Sequence, residues 1–156
     1  MAEKRMQVCD DLRLEQFMPP AHPILVACEK CGKCASLRDF VFPRKPKNMV
    51  FRLGTCSCLH CGHQWMASAG VHFFTRGPLW LKMPCHKNVL WILNRPHLDF
   101  MEQFIAADLR EERMPEMSSR RLSAALPRWM ISGKNRTDVV RCLKKLREKL
   151  EETRLS

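Results

Sequence analysis

The sequence contains no apolar stretch long enough to cross a membrane. A helical span needs about 20 apolar residues, whereas the longest apolar stretches here, 23–28 and 89–93, are short and interrupted by charge or proline. The N-terminal residues mix acids and bases and contain no apolar segment of the kind that forms a secretory signal. We therefore expect a cytoplasmic protein with no membrane partner.

Low-complexity segments and the short motifs of common catalytic sites are also missing. No phosphate-binding loop, dinucleotide fingerprint or HExxH motif occurs. Cys85 and His86 are adjacent, but side chains adjacent in sequence rarely face each other. Because 46% of the residues are apolar, the chain can build a core and should fold. We therefore expect a folded, non-enzymatic protein with no small-molecule substrate.

Acidic residues are scarce beside basic ones, 16 against 27, and the net charge is +11. The excess is +5 over residues 28–61, with seven basic and two acidic residues, and +7 over 120–156, with eleven and four. Residues 62–119 are neutral. Such an excess favours a polyanionic partner, most commonly nucleic acid. A basic surface that only keeps the protein soluble is the alternative.

Cysteine, by contrast, is abundant, and six of the nine cysteines lie within residues 28–61. Without a secretory signal, paired CxxC segments favour a metal site over disulfides. In each of two knuckles, CEKCG and CLHCG, a tight turn can present two thiolates to one ion, and the following glycine supplies a positive φ. The predicted tetrahedral ligands of one structural metal ion are Cys28, Cys31, Cys58 and Cys61.

Other residues near the knuckles leave the ligand set open. Cys34 forms a second CxxC pair with Cys31, but no glycine follows it, and one residue separates Cys56 from Cys58. We interpret Cys34 and Cys56 as facing, reduced strand residues near the metal, and His63 as a neighbour more than a ligand. Zinc is favoured over a rubredoxin-like iron, because such iron carriers tend to be acidic and this segment is basic.

Between the knuckles, strands are predicted over 37–42 and 49–55, joined by a proline-containing turn, with a third strand at 63–66. This order of knuckle, hairpin, knuckle and strand resembles the zinc-ribbon superfamily found in transcription factors, polymerase subunits and many phage and plasmid proteins. The resemblance covers about residues 28–71. It implies a three-stranded antiparallel sheet around one zinc ion and does not specify a function.

The remainder of the chain predicts helices over 96–113, 119–126 and 135–153, with Asn94 as a cap of the first. The predicted fold class is therefore α+β, a small zinc ribbon followed by a compact C-terminal region of about three helices. The predicted divisions are an N-terminal arm (1–27), the ribbon (28–71), an apolar connector (72–94) and a basic helical region (95–156).

These features favour a small nucleic-acid-binding protein that binds DNA or RNA. It would act as a transcriptional regulator or as a small subunit of a bacterial, phage or mobile-element nucleoprotein complex. Phosphate contacts are expected from the hairpin tip and the last helix. The residues concerned are Arg44, Lys45, Lys47, Arg52, Arg136, Arg141, Lys144 and Lys145. The alternative is a protein–protein adaptor that uses the ribbon and the apolar helical surface.

Overall fold

The computed structural model describes residues 17, 19, 21–39, 51–69, 77–110, 129 and 132–155. Within these ranges the chain has an α+β fold with two antiparallel sheets and two α-helices. The strands are β1 (Ile24–Ala27), β2 (Cys34–Leu37), β3 (Phe51–Ser57), β4 (Gln64–Ala69), β5 (Leu81–Cys85) and β6 (Asn88–Ile92). The helices are α1 (Arg95–Arg110) and α2 (Arg136–Leu155), and a short 3-10 helix (Gly133–Asn135) leads into α2.

The larger sheet has the order β1-β2-β3-β4, and all its neighbouring strands are antiparallel. One hairpin, β1–β2, closes at the pair Ala27↔Cys34, and the other, β3–β4, closes at Ser57↔Gln64. The hairpins join through Ser36↔Ser57 and Leu37↔Cys56. Both hairpin loops therefore lie at the same end of the sheet, and each loop is one cysteine knuckle.

The predicted ribbon has three strands, whereas the observed sheet has four. The additional strand is β1, which lies in residues predicted to form an irregular arm. Ile24 and Val26 are fully buried and alternate with half-buried neighbours. Because all four residues of β1 are apolar, the sequence lacks the polar alternation that marks a half-buried strand. The outer edge of β1 is also bonded, since Leu25 N–H donates to the Leu93 carbonyl at 2.8 Å.

The boundaries of the other ribbon strands differ from those predicted. The strand predicted over 37–42 is observed as Cys34–Leu37, and Asp39, with φ of 49°, lies just beyond its end. The second strand begins and ends two residues later than predicted. Near its middle, a Cβ on Gly54 would lie 2.3 Å from the Asp39 carbonyl oxygen. Only glycine permits this close approach of the two segments.

The predicted apolar connector contains a β-hairpin. β5 and β6 pair from Leu81↔Ile92 to Cys85↔Asn88, so the loop is two residues long. The first loop residue, His86, has φ of 56°, as tight two-residue turns require. Leu81 and Ile92 are fully buried, so the hairpin contributes directly to the core.

Two of the three predicted helices lie in the described residues, and the third, 119–126, lies outside them. The described residues therefore contain two α-helices, not the three that were predicted. The predicted cap is confirmed, because Asn94 Oδ1 accepts a hydrogen bond from His97 N–H at 3.1 Å. Neither α1 nor α2 is both long and apolar enough to cross a membrane.

One hydrophobic core connects these elements. Its buried side chains come from both sheets and both helices and include Val26, Leu81, Leu98 and Leu146. The apolar faces predicted for the helices are the buried ones, as shown by Met101 and Ile105 on α1 and Val139 on α2. The ribbon and the helices therefore share one core, in which α2 packs on β5 and on α1.

Candidate metal centre and basic surface

The two knuckles have the same backbone structure. In the first, Gly32 N–H donates to the Cys28 carbonyl at 2.9 Å; in the second, Gly62 N–H donates to Cys58 at the same distance. The glycines have φ of 72° and 74°, which confirms the predicted left-handed conformation. Each turn therefore brings its two cysteine side chains to the end of the sheet, where the other pair also lies.

The four knuckle sulfurs form one cluster. They all lie within 4.8 Å of one another, with Sγ–Sγ distances of 3.7 Å between Cys28 and Cys61 and 3.6 Å between Cys31 and Cys58. An ion with bonds of about 2.3 Å to four tetrahedral sulfurs separates them by about 3.8 Å. The observed separations fit that requirement, so these four residues can hold a metal ion.

Within the cluster, the pKa values of Cys28 and Cys31 shift in opposite directions. Burial raises the pKa of Cys28, but hydrogen bonds from the amides of Cys31 and Lys30 and from neighbouring thiols lower it to about 6. For Cys31, the Lys33 amide lowers the pKa, while burial and the adjacent thiols raise it to about 12. Four thiolates at this separation repel each other, and a bound cation would offset that repulsion.

Cys34, Cys56 and His63 lie outside the cluster. Burial raises the pKa of both Cys34 and Cys56 to about 11, so each is a protonated strand thiol at neutral pH. His63 Nε2 lies 2.9 Å from Glu29 Oε1, and its ring stacks on Trp65 at 5.2 Å. Because Glu29 is in the first knuckle, this contact links the two knuckles. The sequence pattern did not indicate it, since the partners are 34 residues apart.

The predicted phosphate-binding residues are only partly described. The hairpin-tip residues Arg44, Lys45 and Lys47 lie outside the described residues. Arg52 lies in β3, and its side chain is not described. The four residues of the last helix are all on α2: Arg136 is half-buried, whereas Arg141, Lys144 and Lys145 are exposed.

Two further basic residues of α2 are engaged inside the molecule. Arg147 bonds to Asp99 and, at 2.6 Å, to Glu102 of α1. Its hydrogen bonds to Glu102 raise its pKa above the usual value. Lys149 Nζ donates to the Trp80 carbonyl at 2.7 Å and lies 4.1 Å from the centroid of the Trp80 ring. Arg147 therefore holds α2 against α1, and Lys149 holds α2 against Trp80, the residue before β5. These two side chains are not part of a simple basic stripe.

Comparison with protein-family models, curated proteins and solved structures found no match to this chain.

Proposed function

We propose that this chain is a non-enzymatic zinc-ribbon protein that binds nucleic acid, in transcriptional control or as a small subunit of a nucleoprotein complex. The observation that supports it most is the cluster of four cysteine sulfurs at the end of the sheet. Four thiolates occupy all four coordination positions of a tetrahedral zinc ion and leave none for water or substrate. The ion would stabilise the ribbon, and surrounding basic side chains would contact phosphates.

Zinc is the metal we propose, although tetrahedral sulfur sites also suit iron. The segment that carries the site has a charge of +5, which would balance the negative charge of a four-thiolate zinc centre. Elemental analysis of protein purified without added metal should give about one zinc per chain. An iron content of one per chain would contradict the assignment.

The proposed nucleic-acid contact includes the exposed face of α2. Arg141, Lys144 and Lys145 are spaced three and four residues apart, so they lie on one side of the helix. Arg141 is 3.6 Å from Asp138, while Lys144 and Lys145 have no ion pair within the described residues. We also propose contacts from the other basic residues predicted on the tip and helix. Each phosphate contact to duplex DNA contributes about −0.9 to the slope of log K against log salt.

A charge-reversal experiment tests this surface. Lys144→Glu/Lys145→Glu should weaken binding of a labelled random duplex at least tenfold at 50 mM salt, because two phosphate contacts become repulsive. Lys144→Arg/Lys145→Arg is the matched control and should stay within about twofold. Fluorescence anisotropy measures both, with circular dichroism and zinc content confirming the fold. If the unaltered protein binds neither DNA nor RNA at 50 mM salt, the proposal is wrong.

Two exposed apolar side chains on the ribbon support the alternative function, a protein–protein adaptor. Leu59 is 94% exposed in the second knuckle, and Met66 is 68% exposed on β4. Nuclease treatment of material purified at low salt distinguishes the two functions. A nucleic-acid-binding protein should be freed from its complex by the nuclease, whereas an adaptor should stay with its protein partner.

A further inference from the structure

A groove of about 810 Å³ lies between the ribbon and the C-terminal end of α2. Small side chains line it on the ribbon side, among them Cys34, Ser36 and Ser57. On the other side lie Trp80 and Lys149, and Lys33 of the first knuckle also lines it. This volume is within the range of about 300–1,000 Å³ typical of small-molecule sites.

Lys149 is the unusual charge in this groove. Its ammonium contacts the Trp80 carbonyl and ring, but within the described residues no carboxylate lies within ion-pair distance of it. Arg147, two residues earlier, has three such carboxylates, from Asp99, Glu102 and Glu151. Burial lowers the pKa of Lys149, since desolvation disfavours the ammonium. Because the half-buried Lys149 ammonium has no counter-ion among the described residues, an anion can bind there.

The groove also offers apolar surface. The Trp80 indole is held in place, because its Nε1–H donates to Thr153 Oγ1 at 3.1 Å. Leu59, the residue with 94% exposure, also lines the groove. Glu152 is the acidic lining residue, against Lys33 and Lys149, so the local charge favours an anion. A ligand that suits these features has a flat, mainly apolar part and a negative group.

We propose that the groove binds an unpaired nucleoside phosphate, with the base against Trp80 and Leu59 and the phosphate at Lys33 and Lys149. This inference rests on the proposed function and deepens it, since a base within a duplex cannot enter a groove of this kind. Stacking on an aromatic side chain tolerates any sequence, because every base has a flat π-face. The same chemistry is offered by a nucleotide within a single strand and by a free mononucleotide.

A pair of lysines in one knuckle provides the test. Lys33 lines the groove and Lys30 does not, although both are exposed and only three residues apart. Lys33→Glu should weaken binding of a labelled single-stranded 12-mer at least fivefold, whereas Lys30→Glu should change it less than twofold. Ser57→Met, which fills the groove without changing charge, should weaken it similarly to Lys33→Glu. Zinc content and circular dichroism of each variant establish that it is folded.

Competition with a free nucleotide shows whether the groove binds mononucleotides or only a strand, and the variants show which proposal holds. If adenosine monophosphate displaces the 12-mer, the site accepts free nucleotides; if it fails at millimolar concentration, the site requires a strand. Equal effects of Lys33→Glu and Lys30→Glu would overturn the groove proposal, as would equal weakening of duplex and single-strand binding by Lys33→Glu. In those cases sensitivity to Lys144→Glu/Lys145→Glu would still support the general function. Absence of all nucleic-acid binding at 50 mM salt would remove both.

Discussion

At the scale of single residues, the buried side chain of Asn94 makes three hydrogen bonds. Its Oδ1 caps α1, and its Nδ2 donates to the carbonyls of Phe17 at 2.5 Å and Pro23 at 3.0 Å. Asn94 is only 3% exposed, so water cannot replace these bonds. One side chain thus ties the N-terminal residues to the start of the first helix.

Replacing Asn94 should therefore be costly. Asn94→Ala should lower the free energy of unfolding by about 3 kcal/mol, since it removes a helix cap and leaves buried carbonyls unpaired. Asn94→Ser keeps a capping oxygen and should lose less. Urea denaturation of the metal-loaded protein measures the difference. Equal losses for the two variants would show that the cap contributes nothing.

His97 makes stability depend on pH. It is 1% exposed, and burial lowers its pKa to about 3. Because the unfolded value is about 6.5, the unfolded chain binds the proton first as pH falls. The contribution of neutral His97 to the free energy of unfolding is therefore fully present above pH 6.5. It decreases as the pH falls towards 3, and the loss at pH 5 is about 2 kcal/mol.

The variant His97→Gln isolates this effect from acid-induced loss of metal. Its stability should change less between pH 7 and pH 5 than that of the unaltered protein, by about the same 2 kcal/mol. His86→Gln, at an exposed histidine, is the control and should retain the full dependence. Parallel stability curves for all three proteins would contradict the assignment.

At the scale of the elements, the knuckles should tolerate no loss of a ligand. Cys61→Ser should abolish stoichiometric zinc binding and unfold the ribbon, because metal binding and folding are one process in such sites. Cys34→Ser removes a thiol next to the cluster but outside it and should retain about one zinc per chain. Elemental analysis with circular dichroism distinguishes them. Zinc loss in Cys34→Ser would place Cys34 among the ligands.

The knuckles also show which elements a sequence can predict. Cys28, Gly32 and their counterparts follow local rules, and Asn94 caps a helix three residues away, so all of these were predictable. β1 was not, because four apolar residues fit a strand, a buried helix turn or an arm equally well. The bonds of Arg147 and the Trp80–Lys149 contact join residues 45 or more apart in sequence, and no local pattern specifies such partners.

At the scale of the whole molecule, the shared core predicts cooperative unfolding. Residues of both sheets and both helices belong to one buried cluster, so none of the described elements buries its apolar face alone. In urea, the helical signal at 222 nm and the release of zinc to a metal-sensitive dye should have the same midpoint. Helices that survive zinc release by more than about 1 M urea would show that the ribbon unfolds independently.

The two knuckles have a final consequence that concerns stoichiometry. Cys28 and Cys58, Cys31 and Cys61, and Gly32 and Gly62 are each 30 positions apart, and the matching hydrogen bonds repeat with the same offset. The candidate metal site is thus made of two similar halves, each with two of the four sulfurs. One half alone supplies two sulfurs, so a second molecule would have to supply the other two. That arrangement would have two chains per ion. Covalent linkage of the halves supplies the second pair at high effective concentration, which favours one ion per chain.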